Sequence, residues 1–360
     1  MLIHSAAMWI RWLVALLVVP VIYSWNVKTS GVDTNLRGLS VFASEGKNGR
    51  SVVWASGSNA IVLRSGNAGK DWERIVVPDS AGLDFRGVQV VAAATTFHSP
   101  EKLWISRAAE TVYVMSSGEG EKSRIYKTSD SGKNWELQYQ GKGQEFFLDA
   151  LVCVDATHCF ALSDPVDGKF VILRTEDGRH WSEIPNEAMP AALEKEGAFA
   201  ASNSCLIIYG GRDLYFATGG PAARVFHSGD LGKNWTVAET PVASGKASAG
   251  IFSLARHGKT VVAVGGDYQD EKVSQKSAAV SLDEGKTWQA VTDGLDRYRS
   301  GVTVKTDGTF VAVGPTGTEV SRDGLHWERI DLSNFNVVGD SEGTVWAAGP
   351  KGTVGQLMAH

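Results

Sequence analysis

Cysteine is scarce, with 3 in 360 residues. None lies near the end of the N-terminal apolar run, which excludes a lipoprotein signal. An excess of positive charge is missing too: the formal net charge is −5. That argues against nucleic acid as the main partner, because such proteins present a basic face. A locally basic site is still compatible with it. Helical periodicity is absent throughout. So are the signatures of common chemistry. There is no HExxH and no His/Cys/Asp cluster at metal spacing, so no metal is expected. No GxSxG or GxGxxG stands in a strand–turn–helix setting, so no catalytic residue and no cofactor is expected. Gly285-Lys-Thr287 imitates the end of a phosphate-binding loop, but Val280 stands where its first glycine belongs and no helix follows.

The apolar run itself, Trp12 to Tyr23, falls short of the roughly 20 residues that cross a bilayer. With His4 and Arg11 before it and Ser24 after it, it reads as a signal peptide over residues 1–24. Ile22 makes the cleavage site imperfect, and an uncleaved anchor reaching back through Met8 is the other reading. A periplasmic or secreted protein is expected, with residues 25–360 as its folded part. In such an oxidising compartment Cys153 and Cys159, flanking Val-Asp-Ala-Thr-His, are expected to form a disulfide across a hairpin. Two buried thiols are the alternative. Cys205 is left over in an apolar run.

What is abundant is glycine and tryptophan, 40 and 12 residues. They recur together in Thr128-Ser-Asp130-Ser-Gly132-Lys-Asn-Trp135, Ser228-Gly-Asp230-Leu-Gly232-Lys-Asn-Trp235 and Ser281-Leu-Asp283-Glu-Gly285-Lys-Thr-Trp288. A shorter form stands at Thr175-Glu-Asp177-Gly178-Arg-His-Trp181 and Ser321-Arg-Asp323-Gly324-Leu-His-Trp327. A decayed copy, Ser65-Gly-Asn67-Ala-Gly69-Lys-Asp-Trp72, opens the series. The hydroxyl and carboxylate can bond turn N–H groups, glycine permits φ > 0, and tryptophan buries its ring as the next strand starts. Because the aspartates (Asp130, Asp177, Asp230, Asp283, Asp323) recur unit after unit, they read as turn formers rather than acids. His180 and His326 share one box position and read as surface turn residues.

Four strand-like runs per unit, at this spacing, describe an all-β propeller. Six units end in a box. A seventh begins near Phe335 and stops without a fourth strand. The missing strand is expected at the other end of the chain, with Trp25–Thr29 pairing to Gly352–Leu357 and closing the ring against exposed edges.

The boxes resemble the Asp-boxes (BNR repeats) of sialidases. Leu36-Arg-Gly-Leu-Ser, Trp54-Ala-Ser-Gly, Gly219-Gly-Pro-Ala-Ala-Arg224, Gly250-Ile-Phe-Ser, Gly265-Gly-Asp-Tyr268 and Tyr298-Arg-Ser-Gly301 resemble the photosystem II stability/assembly factor-like group of the WD40/YVTN/BNR-like propellers. The resemblance covers residues 25–358. It implies a seven-bladed propeller outside the cytoplasm and, in photosynthetic members, a chaperone-like protein with a membrane-protein partner.

Residues that break the repeat are the candidates for a binding face at the central mouth: Arg37, Arg86, Asp164, Glu196, Arg224, Asp267, Tyr268 and Arg299. Arg37, Arg86 and Arg299 each open a first-strand run. Converging on the axis they would bind an anion, with Glu196 and Asp267 across from them. Each arginine could instead cap its own turn or pair with a neighbouring carboxylate. The expected function is non-enzymatic binding of a protein or peptide partner, which the resemblance allows to be membrane-associated, by a monomer. A sialidase-like glycosidase is the alternative, with the three arginines as substrate clamp and Tyr268 or Tyr298 near Glu196. Its Phe/Tyr-Arg-Ile-Pro motif is missing; Phe85-Arg86-Gly-Val comes nearest and lacks the proline.

Overall fold

The computed structural model describes residues 22–43, 51–92, 97–99, 102–104, 109–271 and 276–360. The expected signal segment lies outside the described residues up to position 21. The rest forms the expected seven sheets. Blade 1 runs outward from the axis as Leu36–Ala43, Ser51–Gly57, Ile61–Ser65 and Glu73–Ile75. Blades 2 to 6 repeat that antiparallel order, and their innermost strands begin at Asp84, Leu148, Leu206, Lys246 and Gly301. Blade 5 carries an additional strand, Gly219–Gly220, on its inner side. A small hairpin, Phe97–Ser99 with Lys102–Trp104, sits between the first two strands of blade 2.

Blade 7 consists of Val337–Ser341, Thr344–Ala348 and Thr353–Ala359, with Tyr23–Thr29 as its outermost strand. Trp25 stands opposite Leu357 and Thr29 opposite Thr353, the closure expected from the missing strand. The strand starts at Tyr23, so the boundary expected after Ser24 falls inside it. Trp25 is buried against Phe335 at 4.9 Å between ring centroids, and its Nε1 donates to Thr318 Oγ1 at 3.0 Å. Each innermost strand contacts the next, and that of blade 7 contacts that of blade 1, so the ring is complete.

The repeated turns are built as their residues dictate. Thr128 Oγ1 accepts from Gly132 N at 3.0 Å, Asp130 Oδ1 accepts from Asn134 N at 2.9 Å, and Trp135 Nε1 donates to Gly132 O at 3.2 Å. The Asp230 and Asp283 turns repeat this pattern. Their glycines serve a second purpose: a Cβ at Gly132 would lie 2.7 Å from Ile75 of blade 1, and one at Gly69 would lie 2.4 Å from Trp346 of blade 7. Each turn therefore packs on the preceding blade, and packing between blades, more than within them, forms the core.

Because strands alternate in direction, the repeated turns share one face with the loops joining the first and second strands. The opposite face carries the loops joining the second and third strands and every connection between blades. All eight candidate residues lie toward that second face, the mouth.

Candidate functional site

The innermost strands enter the mouth through a shared irregularity. Their pairing slips by one residue at Arg37 in blade 1, Arg86 in blade 2, Asp149 in blade 3 and Phe252 in blade 5. A bulge leaves its extra residue out of the ladder and re-aims the side chain. These positions are where a propeller of this sequence places differing groups around its axis. Gly38 follows Arg37 because the backbone of blade 2 approaches closely: a Cβ there would lie 3.2 Å from Arg86 O.

Arg37 and Arg86 lie within electrostatic reach of each other. Burial and the Arg86 cation hold the Arg37 guanidinium below its ordinary pKa, against the opposing pull of Asp84 and Tyr298. Arg37 Nη2 lies 3.0 Å from the Asn35 side-chain amide, and no carboxylate among the described residues pairs with it. Arg86 is held, with Nε donating to Asp84 Oδ2 at 2.8 Å and Nη1 to Ala200 O at 3.0 Å.

Arg299 does not join them. It is 0% exposed and forms a bidentate pair with Glu319, donating from Nε and Nη2 at 2.5 Å each. Its Nη1 donates to Tyr298 O at 2.7 Å and to Thr316 Oγ1 at 2.8 Å. The reason is register. Gly301 pairs with Val313 as Gly38 pairs with Ser56, so Ser300 holds the position of Arg37 and Arg299 that of the buried Leu36. A shift of one residue turns a side chain to the other side of a strand. The expected convergence of three arginines is thereby replaced by a pair.

Glu196 and Arg224 were expected as separate contacts, with Glu196 facing the arginines. They are each other's partners. Arg224 Nε donates to Glu196 Oε1 at 2.8 Å, and Nη2 bonds the other carboxylate oxygen and Ala191 O. Thr218 and the Leu193 N–H saturate Glu196. Asp267 likewise accepts from Lys246 Nζ at 2.9 Å and Gln269 N at 3.0 Å. Burial opposes these bonds, which nonetheless hold its carboxyl below the ordinary range. Tyr268 is 44% exposed at the rim.

Two features were not read from the sequence. The first is an aromatic wall. Phe199 stacks on Phe252 at 3.9 Å, Tyr298 meets Phe252 edge-on at 4.9 Å, and Tyr268 flanks Phe252 at 6.1 Å. Tyr298 is buried, which pushes its hydroxyl pKa up against the opposing Arg37 charge. The signal available was the position of Phe252, aligned with Arg37 and Arg86 in the repeat. The second is the long connection from blade 3 to blade 4, whose residues 198–204 lie across the channel end. Ala200 O binds Arg86 of blade 2, and the Asn203 side chain bonds both Leu151 N and Leu151 O of blade 3, each at 2.8 Å. Ser204 and Ser253 of blade 5 share a bond at 2.6 Å, and Ser202 donates to Ser300 O beside blade 6 at 2.6 Å. The buried Glu196–Arg224 pair pins the start of this segment, and Asp164 Oδ1 accepts from Ala198 N at 2.8 Å. Asp164 thus faces inward beneath the segment, where burial pushes its carboxyl up to about 6.

The mouth is therefore a closed bowl. Arg37 and Arg86 stand on its blade 1 and blade 2 side, Tyr268 at its blade 5 rim, Phe199 to Ala201 cross its floor, and Phe252 and Tyr298 are buried behind the surface. No group of three or more metal-ligating side chains occurs among the described residues. Cys153 and Cys159 are disulfide-bonded on the opposite face, and Cys205 is a buried free thiol.

No protein-family model matches the chain, and no curated protein does. Solved structures do match. A structure of YCF48 bound to D1 peptide is similar over 92% of this chain and 96% of that one, with a TM-score of 0.62 and 13% identity. YCF48 from Cyanidioschyzon merolae is similar over 92% and 98%, with a TM-score of 0.60 and 14% identity. Virginiamycin B lyase from Staphylococcus aureus is similar over 93% and 99%, with a TM-score of 0.60 and 10% identity. A peptide-bound protein and a lyase share this architecture, so the fold leaves function to the site. What the chain shares with these proteins is its fold, the seven-bladed propeller, of the kind seen in YCF48.

Proposed function

We propose that the protein is an exported, non-enzymatic binding propeller whose mouth receives an acidic segment of a protein or peptide partner. The observation that carries this reading is Arg37: a half-buried cation beside a second cation, with no carboxylate partner among the described residues. Two cations held this close repel, and an anion between them relieves the repulsion. Exposed Tyr268 and half-buried Phe199, backed by the buried Phe252 and Tyr298, supply apolar area for the rest of a ligand, so an anionic group followed by a bulky side chain fits both halves. That a similar propeller is solved with a bound peptide supports the reading. The N-terminal apolar segment and the disulfide support export, to the periplasm or beyond. The repeated turns are of Asp-box type, and their aspartates serve the turns.

The glycosidase reading is not pursued. Arg299 is spent on Glu319, Glu196 on Arg224, and Tyr298 is buried, so the three-arginine clamp it requires is not assembled.

The test uses a library of short peptides with acidic or neutral ends, measured by fluorescence anisotropy against wild type and Arg37→Ala. Acidic peptides are expected to bind more weakly to the variant, by tenfold or more, at an unchanged melting temperature and with a marked salt dependence in the wild type. Equal binding by both proteins would remove Arg37 from the site and the reading with it.

A further inference from the structure

The bulge residue of blade 3 is a carboxylic acid where blades 1 and 2 carry arginine. Asp149 is 1% exposed, and neither carboxylate oxygen has a hydrogen-bond partner. A buried ionised carboxylate without donors is strongly disfavoured, and the neutral acid is the form such a site tolerates. The groups around it do little to change that. Asp164, on the second strand of blade 3, acts both ways: its carboxylate opposes ionisation, and its main-chain N–H, which donates to Phe147 O at 3.0 Å, favours it as the smallest of these influences. Arg86, on blade 2, favours it, but that guanidinium is already bonded to Asp84 and Ala200 O. Cys205, at the entry to blade 4, carries a buried thiol whose own ionisation is suppressed by burial and by Asp149.

The crossing segment sits over this acid. Its start is bonded to Asp164 through Ala198 N, and its end to Leu151, two residues from Asp149 on the same strand. Between these pins the sequence is Ala-Phe-Ala-Ala-Ser-Asn-Ser, mostly small, and Asn203 holds a left-handed φ of 62°. Single hydrogen bonds at Ala198, Ser202, Asn203 and Ser204 hold it down, together with a limited apolar contact in which Phe199 stacks on Phe252 and the small side chains of Ala198 and Ala201 are buried.

We propose that residues 198–204 are a proton-controlled latch: Asp149 keeps its proton while the segment is seated across the channel, and losing that proton releases the segment. Release lets water reach the carboxylate and frees Arg86 to pair with it in place of Ala200 O. The direction follows from linkage. The seated state binds a proton that the released state gives up, so seating is strongest below the ordinary carboxylate pKa of about 4. Above that, seating weakens by up to tenfold per pH unit until the raised pKa of the seated acid is reached. Burial raises that pKa well above the ordinary value. This inference does not depend on what the mouth binds.

Hydrogen–deuterium exchange on the intact chain between pH 5 and 8 tests it, with rates corrected for intrinsic exchange. The Ala198, Ala201 and Leu151 amides are expected to lose protection as pH rises in the wild type and to keep it across the range in Asp149→Asn. Protection independent of pH in the wild type, or the same decline in the variant, overturns the proposal. Should Asp149→Asn fail to fold, carbon-13 titration of the aspartate carboxyls in the wild type decides. The latch requires Asp149 to titrate above the ordinary carboxylate range, and an Asp149 that titrates within that range overturns it.

Discussion

Aspartate plays two opposite roles in this molecule, decided by a few ångströms of surroundings. In the repeated turns it is exposed and receives donors. Asn134 N–H and side-chain bonds pull the Asp130 carboxyl down to about 2. Replacing Asp130 by alanine removes these bonds, and thermal melts should show a loss of about 0.5–1.5 kcal/mol per net hydrogen bond. A variant that keeps its melting temperature but loses peptide binding would contradict the structural role. Glu319 is a different case. It is fully buried between Arg299 and Arg329, so Glu319→Ala strands a buried cation. The expected loss is about 3–5 kcal/mol, while replacing both Arg299 and Glu319 by apolar residues of similar volume should cost less. Denaturant melts of the single and double variants give the comparison. Arg299 also shows where single-sequence reading stops. Tyr298-Arg299-Ser300-Gly301 looks like Leu36-Arg37-Gly38 with one residue inserted, and only the strand pairing tells which neighbour takes the bulge. Arg37 and Arg86, adjacent to their glycines, were legible; the aromatic partners were not, because nothing in a sequence shows which rings share an axis.

Among the elements, the outermost strand of blade 7 bears most on integrity. Tyr23–Thr29 supplies a full ladder to Thr353–Ala359 and buries one large ring. Trp25→Ala should cost about 3–5 kcal/mol, as other large-to-small core changes do, and should flatten the unfolding transition if the seventh blade opens first. A melt as sharp and as high as that of wild type would contradict this. This strand could be found in the sequence because a repeat with a missing piece must be completed somewhere. The crossing segment could not: residues 184–205 carry no periodic pattern, and a loop's path follows from the hydrogen bonds it finds. The hairpin of blade 3 is fixed by its disulfide, and its turn is read by the neighbour. Ala156 O accepts from Tyr113 of blade 2 at 2.9 Å and from Lys127 at 3.1 Å. Mass spectrometry after alkylation of the unfolded, unreduced protein should find label on Cys205 alone; label on all three cysteines would break the assignment.

For the whole molecule, the two classes of aspartate set an acid and an alkaline limb. Asp130, Asp230 and Asp283 have pKa values lowered to about 2, so their contribution is present above the ordinary value of about 4 and is lost as pH falls toward 2. Asp164 has its pKa raised to about 6, so its contribution is present below about 4 and is lost as pH rises through 6. Together they place the stability maximum on the acid side of neutral. Urea midpoints measured from pH 2 to 8 should rise and then fall across that range, and midpoints that climb steadily to pH 8 would show that other groups dominate.

The closing strand also gives the molecule an orientation. Thr29 leads through residues 30–35 into blade 1 on the side of the bowl, so Ile22 emerges on the opposite side, bonded to His360 through both main-chain groups. Ile22, the attachment point, lies behind the propeller, separated from the bowl by the height of a seven-residue strand, about 23 Å. Were a leader there to hold the chain at a bilayer, the propeller would stand with its back to the lipid and its arginines turned outward. It would then meet partners arriving from the aqueous side before those embedded beside it.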